Sequence, residues 1–170
     1  MTPEPEVVAT WLGAHRAEIL DAWRGLVFAR FAAPAATLLS KPDPFGNPLG
    51  SRVQASTEAL LEALALGRPA GDLAAAMDPL MRVQAIQGGP PSEAVAFVPL
   101  LDRAWRQVRG GVPPGLEAGL KERLDGLMLI AFDVYMRCRE DICEIRVRAA
   151  HRRVAALVDR LAVAGEGAEP

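Results

Sequence analysis

Metal-binding and redox-active side chains are scarce in this 170-residue chain, which has two cysteines and two histidines. Cys138 and Cys143 fall in one helical stretch. Five residues along a helix turn through about 500°, so the two thiols point about 140° apart and cannot pair with each other. Unpaired thiols fit a reducing compartment. His15 and His151 lie far apart in sequence, so no zinc-ligand spacing exists, and no metal or cofactor is expected. No run of about 18 uncharged apolar residues occurs, and the start Met1-Thr2-Pro3-Glu4-Pro5-Glu6 lacks the basic and apolar regions of a leader. Direct membrane insertion is therefore not expected, and a cytoplasmic location is. The net charge of −2 gives no global field for nucleic acid, so no nucleic-acid partner is expected either. A Ser, His and Asp set, a phosphate-cradling glycine loop and a metal triad are all missing, which argues against an enzyme.

What is present is apolar and helical. Hydrophobic residues make up 51% against 24% charged, too apolar for disorder and too charged throughout for a membrane protein. No segment alternates with period two for long enough to be a strand, so the fold class is all-α, a single helical bundle. One domain over residues 1–163 is expected, followed by a flexible acidic tail over 164–170. Val8, Leu12, His15, Ile19, Trp23 and Leu26 form one stripe, with Trp11, Ala22 and Val27 beside it, predicting a helix from about Glu6 to Phe31. A short turn or helix follows Pro34. The stretch from Lys41 to Gly50 reads as a loop, with Phe45 tucked into the core. Ser51-Arg52-Val53-Gln54 matches a capping box for a helix closed by Gly67. The next helix, Asp72 to Gln87, should break or bend at Asp78-Pro79. A further one, from Ser92 to about Arg109, reads as a single helix bent at Pro99.

The last helix is the dominant feature. From Leu116 to Ala162 there is no proline, and the glycines there are Gly119 and Gly126, so a helix of about 47 residues and about 70 Å is expected. A compact domain of this size is narrower than that. Two stripes of alternating three- and four-residue steps run along it. Leu124, Met128, Ala131, Tyr135, Cys138, Ile142, Ile145 and Ala149 form the first. Cys143, Val147, Ala150, Val154, Leu157 and Leu161 form the second, expected to face a second copy or another partner. A helical hairpin broken between Arg148 and Arg153 is the rival reading.

Three segments together resemble the family of RsbRD N-terminal-domain-like proteins. They are Asp43-Pro44-Phe45-Gly46-Asn47-Pro48-Leu49-Gly50, then Arg82-Val83-Gln84-Ala85-Ile86-Gln87 with Ser92-Glu93-Ala94-Val95-Ala96-Phe97 after it, and Tyr135-Met136-Arg137-Cys138-Arg139-Glu140 leading to Glu144-Ile145-Arg146. The resemblance implies a helical input module of a co-antagonist of the RsbT kinase in bacterial stress signalling, and a fold analogous to globin-like input modules that hold no haem. It departs from the family at Pro90, where a capping serine is expected, and at Pro99, in a usually uninterrupted apolar run. No output domain is expected after the long helix, so binding of RsbT itself is not implied.

His15 is the one candidate haem ligand of a globin-like sensor, on the apolar stripe beside Trp11, but it sits in the first helix rather than ahead of the last. A core histidine with a satisfied hydrogen bond is the competing reading. Arg146, Arg148, Arg152 and Arg153 surround His151 with no acid between Glu144 and Asp159. Either they are the polar flank of a coiled coil, their stems covering apolar surface, or Arg148, Arg152 and Arg153 dock an acidic partner. Three functions follow as expectations: a signalling module acting as a homodimer with a protein partner, a sensor binding haem or a small apolar ligand, and an accessory subunit of a larger redox assembly.

Overall fold

The computed structural model describes residues 5–30 and 46–166. Among these it holds helices and turns and no strand, in the order α1 (Pro5–Ala14), α2 (Arg16–Phe28), α3 (Pro48–Ala65), α4 (Ala70–Gln87), α5 (Pro91–Ala94), α6 (Phe97–Trp105) and α7 (Glu117–Glu166). The expected positions of Asp43, Pro44 and Phe45, and of the turn after Pro34, lie outside the described residues.

The first stripe is buried as its spacing requires: Val8, Leu12, Ile19 and Trp23 face the core, with Trp11 and Val27 beside them. It belongs to two helices rather than one. The backbone leaves helical geometry at His15, with φ −108° and ψ 15°, while its amide still bonds to the Trp11 carbonyl and its carbonyl accepts from Ile19. The stripe therefore continues across a kink that no proline marks.

Asn47 and Pro48, expected in a loop, start α3. The Asn47 side chain accepts from the Gly50 amide at 2.9 Å, and Pro48 takes the first helical position, where its fixed φ suits the helix and its absent donor is not needed. This cap precedes the Ser51 capping box, so Ser51 lies inside the helix and its hydroxyl is buried with no partner among the described residues. The expected end of the helix holds. Gly67 takes φ +61°, and the Arg68 amide reaches back to the Ala63 carbonyl at 2.9 Å, a Schellman closure.

Two proline expectations are corrected. Helix α4 passes through Pro79 without ending, because Leu73, Met77, Leu80, Met81 and Ala85 all bury on one core. Packing there outweighs the backbone bond that proline removes. Asp78, inside the helix, pairs with Arg82 at 3.1 Å. Pro99 does not bend a single helix. The chain breaks at Val95–Ala96, and Pro99 sits in the first turn of α6, where its missing donor is tolerated. Across that break the Trp23 indole donates to the Phe97 carbonyl at 2.8 Å, and the two rings stack at 6.0 Å, fixing α6 on α2.

Helix α7 is continuous over 50 residues, about 75 Å at 1.5 Å per residue. The hairpin reading is thereby set aside. The helix runs to Glu166, beyond the expected Ala162. Its first half lies along α4, α5 and α6 and touches α1, burying Leu120, Leu127, Ala131, Val134, Tyr135 and Cys138.

Candidate protein-interaction face

The core-facing stripe of α7 stops earlier than its spacing indicates. Ile142 packs partly on the core, whereas Ile145, one turn on, is 58% exposed, because no helix among the described residues stands opposite it. Ala149 is half-buried. Beyond Ile142 the helix projects.

All the members of the second stripe whose side chains are described are exposed: Cys143, Val147, Ala150, Val154 and Leu157. The Leu161 side chain lies outside the described residues. Val147, Val154 and Leu157 are 53%, 59% and 57% exposed, and Val158 adjoins them. The same face continues toward the N-terminal end of α7, which the sequence reading missed. Leu129 is 70% and Phe132 47% exposed, and Met136 is half-buried. At 100° per residue these three and the second stripe share a sector about 100° wide, roughly opposite Ala131 and Cys138. The signal was present in the three- and four-residue steps Leu129, Phe132, Met136. Helix α7 is thus apolar on two opposite sides, one on the core and one on solvent, with Glu140 interrupting the outer side.

Arginines flank that outer side. Arg148 pairs with Glu144 within the helix at 2.8 Å. Arg146, Arg152 and Arg153 are exposed. Arg139, Arg146, Arg153 and Arg160 recur every seventh residue along one border of the apolar sector.

Where α7 leaves the body, it is tied to α4. The Tyr135 hydroxyl donates to the Gly89 carbonyl in the turn after α4, and Arg139 donates to the same carbonyl at 3.2 Å. Arg82 of α4 bridges Asp78 and, at 3.6 Å, Asp141 of α7. The Arg82 hydrogen bond holds the Asp78 carboxyl below its ordinary value. Burial, followed by the Asp78 charge, pushes the Cys138 thiol up, so it stays protonated and donates to Asp78 at 3.7 Å. Cys143 is exposed on the other side of the helix, as the 140° separation requires. Residues of two of the three segments quoted above therefore meet at one junction, while Asn47 of the other caps a helix.

His15 lies at the α1–α2 kink, its Nδ1 donating to the Trp11 carbonyl at 2.9 Å. With Val7, Thr10, Trp11, Pro113 and Leu116 it lines a surface groove of about 580 Å³. The satisfied-histidine reading accounts for this bond. No helix among the described residues is long and apolar enough to cross a membrane.

No curated protein matches this chain, and no solved structure matches it. Residues 6–152 match the family described as the RsbT co-antagonist protein rsbRD N-terminal domain, a span that covers every core helix and ends on the projecting part of α7. The chain therefore belongs to the family of RsbT co-antagonist rsbRD N-terminal domains, input domains of stress signalling.

Proposed function

We propose that this chain is a cytoplasmic, non-enzymatic input module that acts through self-association along the outer side of α7 and through a protein partner docked on Arg148, Arg152 and Arg153. One observation carries the reading: a helix committed to the core on one side presents a second, solvent-exposed apolar side along most of its length. A contiguous exposed apolar strip is a characteristic of an association surface. The arginines beside it supply the charge that would recognise an acidic surface. Light scattering at micromolar concentration tests self-association. A dimer is expected from the unaltered chain and a monomer with unchanged helicity from Val147→Glu combined with Leu157→Glu; a strict monomer in the unaltered chain would remove the reading. Charge reversal at Arg152 and Arg153 should abolish partner capture without unfolding the domain, and unchanged capture would remove the docking part.

A second reading is favoured by the groove beside Trp11 and His15, whose lining is mainly apolar. It would hold a small apolar ligand. Reconstitution with haem tests its boldest form, in which a Soret band appears and is lost in His15→Ala.

A further inference from the structure

We infer that the groove between α1 and the segment leading into α7 binds a neutral apolar molecule carrying one hydroxyl, which is held between the Trp11 indole nitrogen and His15 Nε2. The inference rests on the second reading above, that the groove takes a small apolar ligand, and adds the polar group which that ligand carries.

Two side chains of the groove have hydrogen-bonding capacity that the fold leaves unspent. A buried tryptophan ordinarily finds an acceptor for its indole N–H. Of the three tryptophans, Trp23 finds the Phe97 carbonyl and Trp105 finds Asp102. Trp11 is 8% exposed and lines the groove, yet its indole N–H has no acceptor among the described residues. His15 spends Nδ1 on the Trp11 carbonyl. A carbonyl only accepts, so this bond keeps the proton on Nδ1, and in the neutral ring Nε2 presents a lone pair. No donor among the described residues meets it. The two rings lie 4.8 Å apart between centroids, close enough for one polar group to engage both. The groove thus offers a donor and an acceptor side by side.

A hydroxyl answers both, donating to Nε2 and accepting from the indole N–H. An ether accepts but leaves Nε2 unanswered. A carboxylate sets its own lone pairs against that of Nε2, and the one full charge lining the groove, Glu6, has the same sign and pairs with no cation among the described residues. The Thr10 hydroxyl gives its proton to the Glu6 carbonyl at 2.8 Å, so it does not compete as a donor. The remaining lining, Val7, Ala14, Pro113 and Leu116, is apolar and suits a ring system. The groove volume of about 580 Å³ falls within the range of small-molecule sites, about 300–1,000 Å³.

The test titrates the full chain, isotope-labelled for NMR, with β-naphthol, β-naphthyl methyl ether and β-naphthoate, which share one ring system. Each tryptophan gives one indole N–H signal, and Trp11→Phe assigns that of Trp11. With β-naphthol the Trp11 signal should move downfield and saturate while those of Trp23 and Trp105 stay, and the His15 Nε2 resonance should move upfield. β-Naphthol should bind about two- to tenfold more tightly than its methyl ether, the range of one net hydrogen bond, and more tightly than β-naphthoate. In His15→Phe, checked for folding by circular dichroism, the preference over the ether should fall below about twofold. If that variant does not fold, the Nε2 resonance of the unaltered chain decides. Equal affinity for β-naphthol and the ether, tighter binding of β-naphthoate, an unmoved Nε2 resonance, or a preference that survives in His15→Phe overturns the hydroxyl assignment, while the apolar-ligand reading stands. A Trp11 signal that none of the three compounds moves overturns this inference and the reading it rests on together.

Discussion

Replacing Trp23 by Phe should remove a disproportionate share of stability, because one side chain joins α2 to α6 in two ways. Its indole nitrogen donates to the Phe97 carbonyl at 2.8 Å, and its ring, 0% exposed, stacks on Phe97. A phenyl ring keeps much of the stack and loses the donor. The Phe97 carbonyl opens α6 and keeps the intrahelical bond from the Leu101 amide, so loss of the indole donor costs about 0.5–1.5 kcal/mol. The smaller ring leaves a void that adds about 1–2 kcal/mol, less than the 3–5 kcal/mol of removing an aromatic side chain outright. The sum is roughly 1.5–3.5 kcal/mol, or a fall in Tm of about 3–14 °C for a domain of this size. Urea unfolding at fixed protein concentration measures it, since association shifts apparent stability by mass action. Trp105→Phe is the internal comparison. The smaller ring leaves a similar void at this equally buried position, but its indole bonds to Asp102 at 3.0 Å, a carboxylate that also holds Arg106 at 2.9 Å, so the donor there should contribute under about 1 kcal/mol. If Trp23→Phe costs no more than Trp105→Phe, the bond across the α5–α6 break does not fix α6.

Tyr135→Phe should cost less than about 1.5 kcal/mol, because Arg139 continues to donate to the Gly89 carbonyl. Combined with Arg139→Ala, the loss should exceed the sum of the single losses in urea unfolding, and additivity would show that the two donors do not share that carbonyl. Glu58, Asp78 and Asp102 are held below ordinary carboxyl values of 4.5, 3.8 and 3.8 chiefly by hydrogen bonds from Arg16, Arg82 and Arg106 respectively. Depressed folded values favour the fold above the ordinary values and lose that contribution as pH falls through and below them, so melting temperature should be level from pH 7 to 5 and decline below about 4.5; a rise on acidification would contradict the ion-pair assignments.

The last helix was legible in the sequence because nothing in it competes: no proline falls within its 50 residues, and its spacing is regular. Where breakers were present they misled in both directions. Pro79 reads as a break or bend, yet burial of Met77, Leu80 and Met81 carries α4 through it without a break. Pro99 looked like the bend, while the real break, at Val95–Ala96, contains no breaker and is set by how Trp23 grips Phe97. Asn47 reads as part of a loop, and its role as a cap depends on where the helix begins, which the competing signal at Ser51 obscures. The outer side of α7 was half legible. Its distal part stood out because it lies beyond the body, but Leu129 and Phe132 fall in a segment that also supplies the core, and one-dimensional spacing does not say which of two apolar sides another helix will cover.

The projection of α7 also divides the molecule electrically. Arg152 lies ten residues beyond Ile142, about 15 Å along the axis, and the screening length at physiological ionic strength is about 8 Å. The tip therefore does not feel the surface charges of the body, despite the weakly acidic whole. Charge substitutions around Arg16, Glu58 and Glu62 can drift without altering what the tip attracts, and the tip can change its preference without retuning the body.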